Sequence, residues 1–329
     1  AGAVAILVIV DQLHGLFQAV HSNHAQHRPE DLFFIDAHFR GDVIEQAATQ
    51  EEAFLVTGHA QTTAINNQFR AGCNAVFNIT ADLVARLTCD QRPHVQTARS
   101  AGTDFQRLAL HEIACISGLW IDENGMKMFS FSREHGSEAE ILKKFLSIFD
   151  KRHPTLVSWN GSQFDLPVIL FRAMYHGLSA PSLFDQGEID TQKRYNNYQN
   201  RYHQRHVDLM DVMAMFHGRH FLKLDDAAHL LGFPGKRGDG AYHVPEYVRG
   251  QQWQALTSYC EGDVLNTWLI YLRWQLLKGQ LQLADHQHLV QSTIQYLQTL
   301  PQHADFLAVW RETAQHTAFT QFDFPSPTD

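Results

Sequence analysis

Asp165 follows a strand-like run and a turn dipeptide in VSWNGSQFDLPVI and stands at the head of an apolar segment. Ligands of α/β sheets gather at such strand ends. A loop built on Asn160-Gly161 would fix the carboxylate toward the sheet edge. An isolated Asp before an apolar run also reads as a helix N-cap. Tyr259 and Asp263 lie four apart in SYCEGDVLNTWLIYLRW, so a helix presents both on one face. That spacing suits a metal ligand beside a phenol that orients a water. The plain alternative is an ordinary helix with Asp263 exposed. In RHVDLMDVMAMF, Asp208 and Asp211 flank an apolar run, with His206 two residues before Asp208. Acidic groups near the positive end of a helix dipole are an ordinary helix start, which accounts for Asp211 better than for Asp208.

Two further segments could meet phosphate. KRYNNYQNRYHQRH (residues 193–206) interleaves Lys193, Arg194, Arg201 and Arg205 with Tyr195, Tyr198 and Tyr202, and has no acid. Such a mixture can hold a backbone and stack the bases of a single strand. A solvated segment with its tyrosines packed beneath is the competing reading. GFPGKRGDG (residues 232–240) presents Lys236 on a Gly-rich loop. It lacks the helix start of a Walker cradle, so it reads as a turn whose lysine could touch one phosphate.

The elements that must position these groups are legible. HEIACISGLWI reads as a buried strand and KMFSFS as its hairpin partner, joined at Asp122–Gly125. Ser137–Asp150 places Ile141, Leu142, Phe145, Leu146 and Phe149 on one helical stripe, with Ser137 as N-cap. TLVSWN is a further strand, followed by the helix LPVILFRAMYHG. This order predicts an α/β fold with a mixed sheet flanked by helices. Residues 1–75 alternate apolar and polar runs without a firm pattern and are set apart as an N-terminal α/β segment. Residues 76–280 carry the motifs. Residues 281–329, with Leu289, Ile294 and Leu297 at helical spacing, are expected to be a helical extension ending in the frayed tail FPSPTD.

The bulk properties bound the function. With 329 residues and 44% apolar content, the chain can bury a sizeable core. Its aliphatic run Val4–Val10 is far too short to span a bilayer. No basic stretch or cleavage site marks a secretory signal, so a cytoplasmic location away from membranes is expected. The four cysteines form no C-x-x-C pair, which argues against a thiolate zinc site or a disulfide framework. Most of the 21 histidines are scattered and read as surface residues rather than as a metal cluster. The net charge of −9 does not suit a protein gripping long duplex DNA. An enzyme that holds only a strand end can still be acidic, because bound metal ions supply the positive charge.

Taken in order, VSWNGSQFDLPVI, RYHQRHVDLMDV, LDDAAHLLGFPGK and YCEGDVLNTWLIYLRW resemble the predicted 3′–5′ exonucleases related to the family-B DNA polymerase proofreading domain. FQRLALHEIACIS resembles that family's strand after its first motif, and the likeness runs from about Phe105 to Gln280. The resemblance implies a ribonuclease-H-like fold of the DEDD superfamily with Tyr in the third motif. It implies two-metal hydrolysis with magnesium or manganese, the two ions roughly 3.5–4 Å apart, on single-stranded DNA or DNA 3′ ends, with RNA left open. It places Asp165 and Asp263 as metal ligands and Tyr259 as the residue orienting the attacking water. Asn160 would shape the second-motif loop, and His206 and Asp208 would support the site.

The first motif departs from the pattern. An Asp-x-Glu is expected, and AVFNITADLVARL offers Asn78 and Thr80 instead. An amide and a hydroxyl are poor holders of two dications. Asp36 and Asp11 are rivals for the role, though neither has a Glu two residues on. The alternative function is therefore a catalytically degenerate nucleic-acid-binding module on the same fold. A weaker one is an interaction protein with residues 1–75 as a docking domain.

Overall fold

A computed structural model describes residues 4–10, 74–83, 108–122, 125–236 and 244–315. Its strands are β1 (Val4–Val10), β2 (Asn74–Leu83), β3 (His111–Asp122), β4 (Gly125–Ser132), β5 (Thr155–Trp159) and β6 (His206–Asp208). They form one sheet in the order β4-β3-β2-β1-β5-β6. β4, β3, β2 and β1 pair antiparallel in succession, and β1 pairs antiparallel with β5. β5 pairs parallel with β6 and, over Asn74–Val76, with β2. The sheet is thus mixed, as the α/β reading expects. Asp11, Asp36 and the tail FPSPTD lie outside the described residues.

Helices cover both faces. α1 (Glu138–Arg152) starts on a capping box between Ser137 and Glu140 and ends on His153 in the left-handed conformation. Its buried stripe Ile141, Leu142, Phe145, Leu146 and Phe149 packs with Ile113 and Ile116 of β3, Leu156 of β5, and α2 (Asp165–Tyr175). The opposite face holds Leu119 and Ile121 of β3 and Val157 and Trp159 of β5 against α5 (Trp253–Leu277). The shorter α3 (Leu209–Met213) and α4 (Leu224–Leu230) join that layer. Neighbours on one strand therefore serve different layers. That is why TLVSW and the centre of HEIACISGLWID read as nearly continuous apolar runs rather than alternating ones.

α5 is buried on every side from Tyr259 to Leu272. It lies between the sheet and two further helices, α6 (Leu283–Gln298) and α7 (Ala304–Ala314), which add Leu289, Ile294, Leu297 and Trp310 to the same apolar cluster. A helix apolar all round belongs inside a protein. Polar groups on this helix are consequently buried and must be accounted for one by one. No helix among the described residues is long and apolar enough to cross a membrane.

Candidate active site

The loop after β5 is specified residue by residue. Asn160 adopts a left-handed backbone (φ 67), a conformation Asn tolerates better than most residues. Gly161 has no alternative, since a Cβ there would meet the Ser158 Oγ at 2.5 Å and its Cβ at 2.6 Å. The turn is closed from the neighbouring strand. Asp208, the last residue of β6, accepts the backbone N–H of Asn160 at 2.8 Å and that of Ser162 at 3.0 Å, together with the Ser162 hydroxyl. His206, two residues earlier, shares a 2.7 Å hydrogen bond with Ser158 Oγ. Burial lowers the affinity of His206 for a proton.

This loop delivers Asp165 to the first position of α2. Asp165 is not the N-cap; Phe164 is, and no side chain caps the helix. The Asp165 side chain is wholly buried, and neither carboxylate oxygen has a hydrogen-bond partner among the described residues. Burial and then the charge of Asp208 push its carboxyl well above the usual carboxylate range. The N-cap reading of this residue is thereby set aside.

Tyr259 and Asp263 lie one turn apart on α5, both buried, so Asp263 is not the exposed residue of an ordinary helix. Lys236 joins them. Its ammonium donates to the Tyr259 oxygen at 3.1 Å and to Asp263 Oδ2 at 3.0 Å, and sits 5.4 Å from the centre of the tyrosine ring. The loop that presents Lys236 is held on both sides. The N–H of Gly235 donates to Asn266 Oδ1 at 3.0 Å, and Asn266 Nδ2 donates back to the Gly235 carbonyl at 2.8 Å. The Lys236 N–H donates to Asp225 Oδ1 at 2.7 Å. Burial raises the Tyr259 phenol above its ordinary value, so it stays protonated at neutral pH. Burial also raises the Asp263 carboxyl against the pull of Lys236. Lys236 keeps its proton because Asp263 and Tyr259 outweigh the cost of burying it.

The basic-aromatic segment divides between its two sequence readings, with Tyr198 packed beneath it as the second one has it. Tyr198 is buried, with its hydroxyl donating to the Pro154 carbonyl and its ring edge-on to Phe149, so it cannot stack a base. Arg201 donates through Nε to Asp211 Oδ2 at 2.9 Å and through a terminal nitrogen to the other oxygen. Its charge is therefore matched within the protein. Of the three tyrosines in the segment, Tyr195 and Tyr202 are open, at 80% and 67% exposure. Lys236, expected on phosphate, is turned to Asp263 and Tyr259 with 22% of its side chain exposed. Asn78 and Thr80 stand two apart on β2, at register positions opposite Ser117 and Cys115 of β3.

Sequence reasoning missed the partners: Lys236 on Asp263, and Ser162 and Asp208 closing the Asn160 turn. Contacts across 27 and 46 residues leave no local pattern to read. Among the described residues no three His, Cys, Asp or Glu side chains come together as a metal-binding group. For metal, the donors therefore fit unevenly. Asp165 offers a buried carboxylate with both oxygens unpartnered, whereas Asp263 already holds an ammonium.

A family model described as a predicted 3′–5′ exonuclease related to the exonuclease domain of PolB matches residues 103–313. No curated protein and no solved structure is significantly similar to the chain.

Proposed function

Because the chain belongs to the family of predicted 3′–5′ exonucleases related to the exonuclease domain of PolB, we propose that it removes nucleotides from the 3′ ends of single-stranded or frayed DNA, with magnesium or manganese held at Asp165. The observation that carries this reading is Asp165 itself. An ionised carboxylate buried without partners costs several kcal/mol, roughly, unless it is neutralised or given a cation. Hard oxygen donors suit magnesium and manganese. A bound ion of this kind lowers the pKa of a water and supplies a nucleophile at neutral pH.

The chain's own residues do the rest. The loop Asn160–Ser162, tied to Asp208, holds Asp165 at the head of α2. Tyr259 remains a neutral phenol whose oxygen accepts from Lys236, leaving its hydroxyl hydrogen to orient the attacking water. The water oxygen bonds to the terminal phosphorus, and the bond from phosphorus to the 3′ oxygen of the preceding nucleotide breaks. One water proton passes to the leaving oxygen and the other stays on the nucleoside 5′-monophosphate. A strand labelled on its 3′-terminal nucleotide tests this. Label released as mononucleotide in magnesium or manganese supports it; label retained in both metals contradicts it.

A second reading, a binding module without cleavage, has one observation in its favour. β2 carries Asn78 and Thr80 where the resemblance calls for two acids. Strand affinity that is the same with and without divalent metal, together with an intact strand, would favour it.

A further inference from the structure

We infer that the rings of Tyr202 and Phe216, backed by Arg201 and continued by the basic segment 217–223, form a seat for the single strand whose 3′ end enters the site. The seat stacks bases and holds phosphates without reading sequence. This rests on the exonuclease reading and adds to it the path of the strand.

Phe216 is held from both sides. Its N–H donates to the Asp211 carbonyl at 2.9 Å, and a terminal nitrogen of Arg201 donates to its own carbonyl at 3.4 Å. Phe216 has φ 63 and Met215 before it φ 50, so two bulky residues in succession take the left-handed conformation that such side chains rarely adopt. Strain of this kind persists only where the surroundings over-determine it, and it gathers at ligand clamps. Tyr202 meets the Phe216 ring edge-on, with 4.9 Å between ring centres. The Arg201 guanidinium lies 5.1 Å from the centre of the Phe216 ring and 5.9 Å from that of Tyr202. Its charge is taken by Asp211, so Arg201 stiffens the rings rather than gripping phosphate. Tyr202 nevertheless stays 67% exposed and Met215 77%. The fold has fixed an aromatic pair that it does not bury.

Charge favours a nucleic-acid strand as the occupant. No acid stands between Asp211 and Asp225 in the sequence, and His217, Arg219, His220 and Lys223 in that interval are all exposed. On a chain of net charge −9 this is a local basic strip beside rings, the combination that holds single strands. The two ends of the strip are tied to the two halves of the site. On one side, Asp211 lies three residues after Asp208, which holds the Asn160 turn that carries Asp165. On the other, Lys223 leads into α4, whose Asp225 accepts the Lys236 N–H beside Tyr259 and Asp263. A strand lying along the strip runs beside both halves.

The test is binding of a fluorescein-labelled oligothymidylate of about 12 nucleotides to the full chain, with metal chelated so that the strand stays whole. Release of mononucleotide from that strand and from a thymidine dinucleotide is then followed in manganese. Tyr202→Ala/Phe216→Ala should bind the long strand about tenfold more weakly, and its loss of kcat/KM should grow from the dinucleotide to the long strand. Tyr202→Phe/Phe216→Tyr, which keeps both rings, should recover the affinity. Arg219→Gln/Lys223→Gln, at exposed positions, should weaken binding and make its dependence on log salt shallower by about 1.4, the share of two phosphates on a single strand. This pair decides should the ring variant fail to fold. Affinity of the folded ring variant within about twofold of the wild type, or an unchanged salt slope in the Gln pair, overturns the seat, and mononucleotide release by the wild type then leaves the exonuclease reading standing. A seat that passes these tests on a protein releasing no mononucleotide stands without that reading. Wild type that binds no strand overturns the seat.

Discussion

The backbone N–H of Asn160 donates to Asp208 Oδ1 at 2.8 Å, so the turn that aims Asp165 is tied to the adjacent parallel strand in addition to its own backbone bonds from Phe164 and Leu166 to the carbonyls of Asn160 and Gly161. Asp208→Ala would leave the N–H groups of Asn160 and Ser162 without their acceptor. A misplacement of about 1 Å at a reacting group costs about 100-fold in rate. Asp208→Ala should therefore lower kcat by about that factor with KM little changed, and Asp208→Asn, which keeps one carbonyl oxygen, should lose less. Steady-state kinetics on a single-stranded substrate separate the two parameters.

The N-terminus of α1 is tied to α2 and β3 through Glu138. Its carboxylate accepts from Arg172 Nε at 2.7 Å, from the Ile113 N–H at 2.7 Å and shares a 2.8 Å bond with His176 Nε2. Burial opposes the charge, but Arg172, His176 and Ile113 outweigh it and hold Glu138 below its ordinary 4.5. A depressed carboxyl contributes stability that is present above its unfolded value and lost as pH falls through its folded one. Glu138→Gln should cost about 3 kcal/mol at neutral pH. The loss should shrink below pH 4.5, and urea titrations at several pH values check it.

His286, buried on α6, adds a pH dependence of the same sign in a higher range. Burial, then Arg273, lowers it from 6.5 to about 4. The unfolded chain binds a proton there between those values and the folded chain does not, so stability rises with pH across that window. The contribution is complete above pH 6.5 and lost as pH falls toward 4. His286→Leu should remove this slope, which is on the order of 3 kcal/mol from end to end. An unchanged slope in thermal melts from pH 4 to 7 would show that another group is responsible.

Tyr198 should matter for stability and not for strand binding. Its hydroxyl donates to the Pro154 carbonyl inside the core. Tyr198→Phe should cost about 1 kcal/mol and leave single-strand affinity unchanged in fluorescence anisotropy. Weakened binding in a fully folded variant would return Tyr198 to the strand path.

Local signals carried most of the fold. Ser137 with Glu140 three residues on marks the start of α1, and the Ile141–Phe149 stripe marks its buried face. Asn160-Gly161 marks the turn before Asp165. What stayed hidden is pairing across distance. Tyr198 and Tyr195 look alike in sequence, and only the packing of Phe149 against one of them separates core from surface. Lys236 in GFPGK looks like a free cation until Asn266, 31 residues on from Gly235, fixes the turn that points it at Asp263.

The most direct measurement of the central claim follows a 5′-labelled single-stranded DNA oligonucleotide with magnesium or manganese, beside an Asp165→Ala/Asp263→Ala control. The account predicts a metal-dependent ladder shortened from the 3′ end with the wild type and an intact strand with the control. A strand left whole by wild-type protein that still binds it would contradict the account, and equal shortening by the control would do the same.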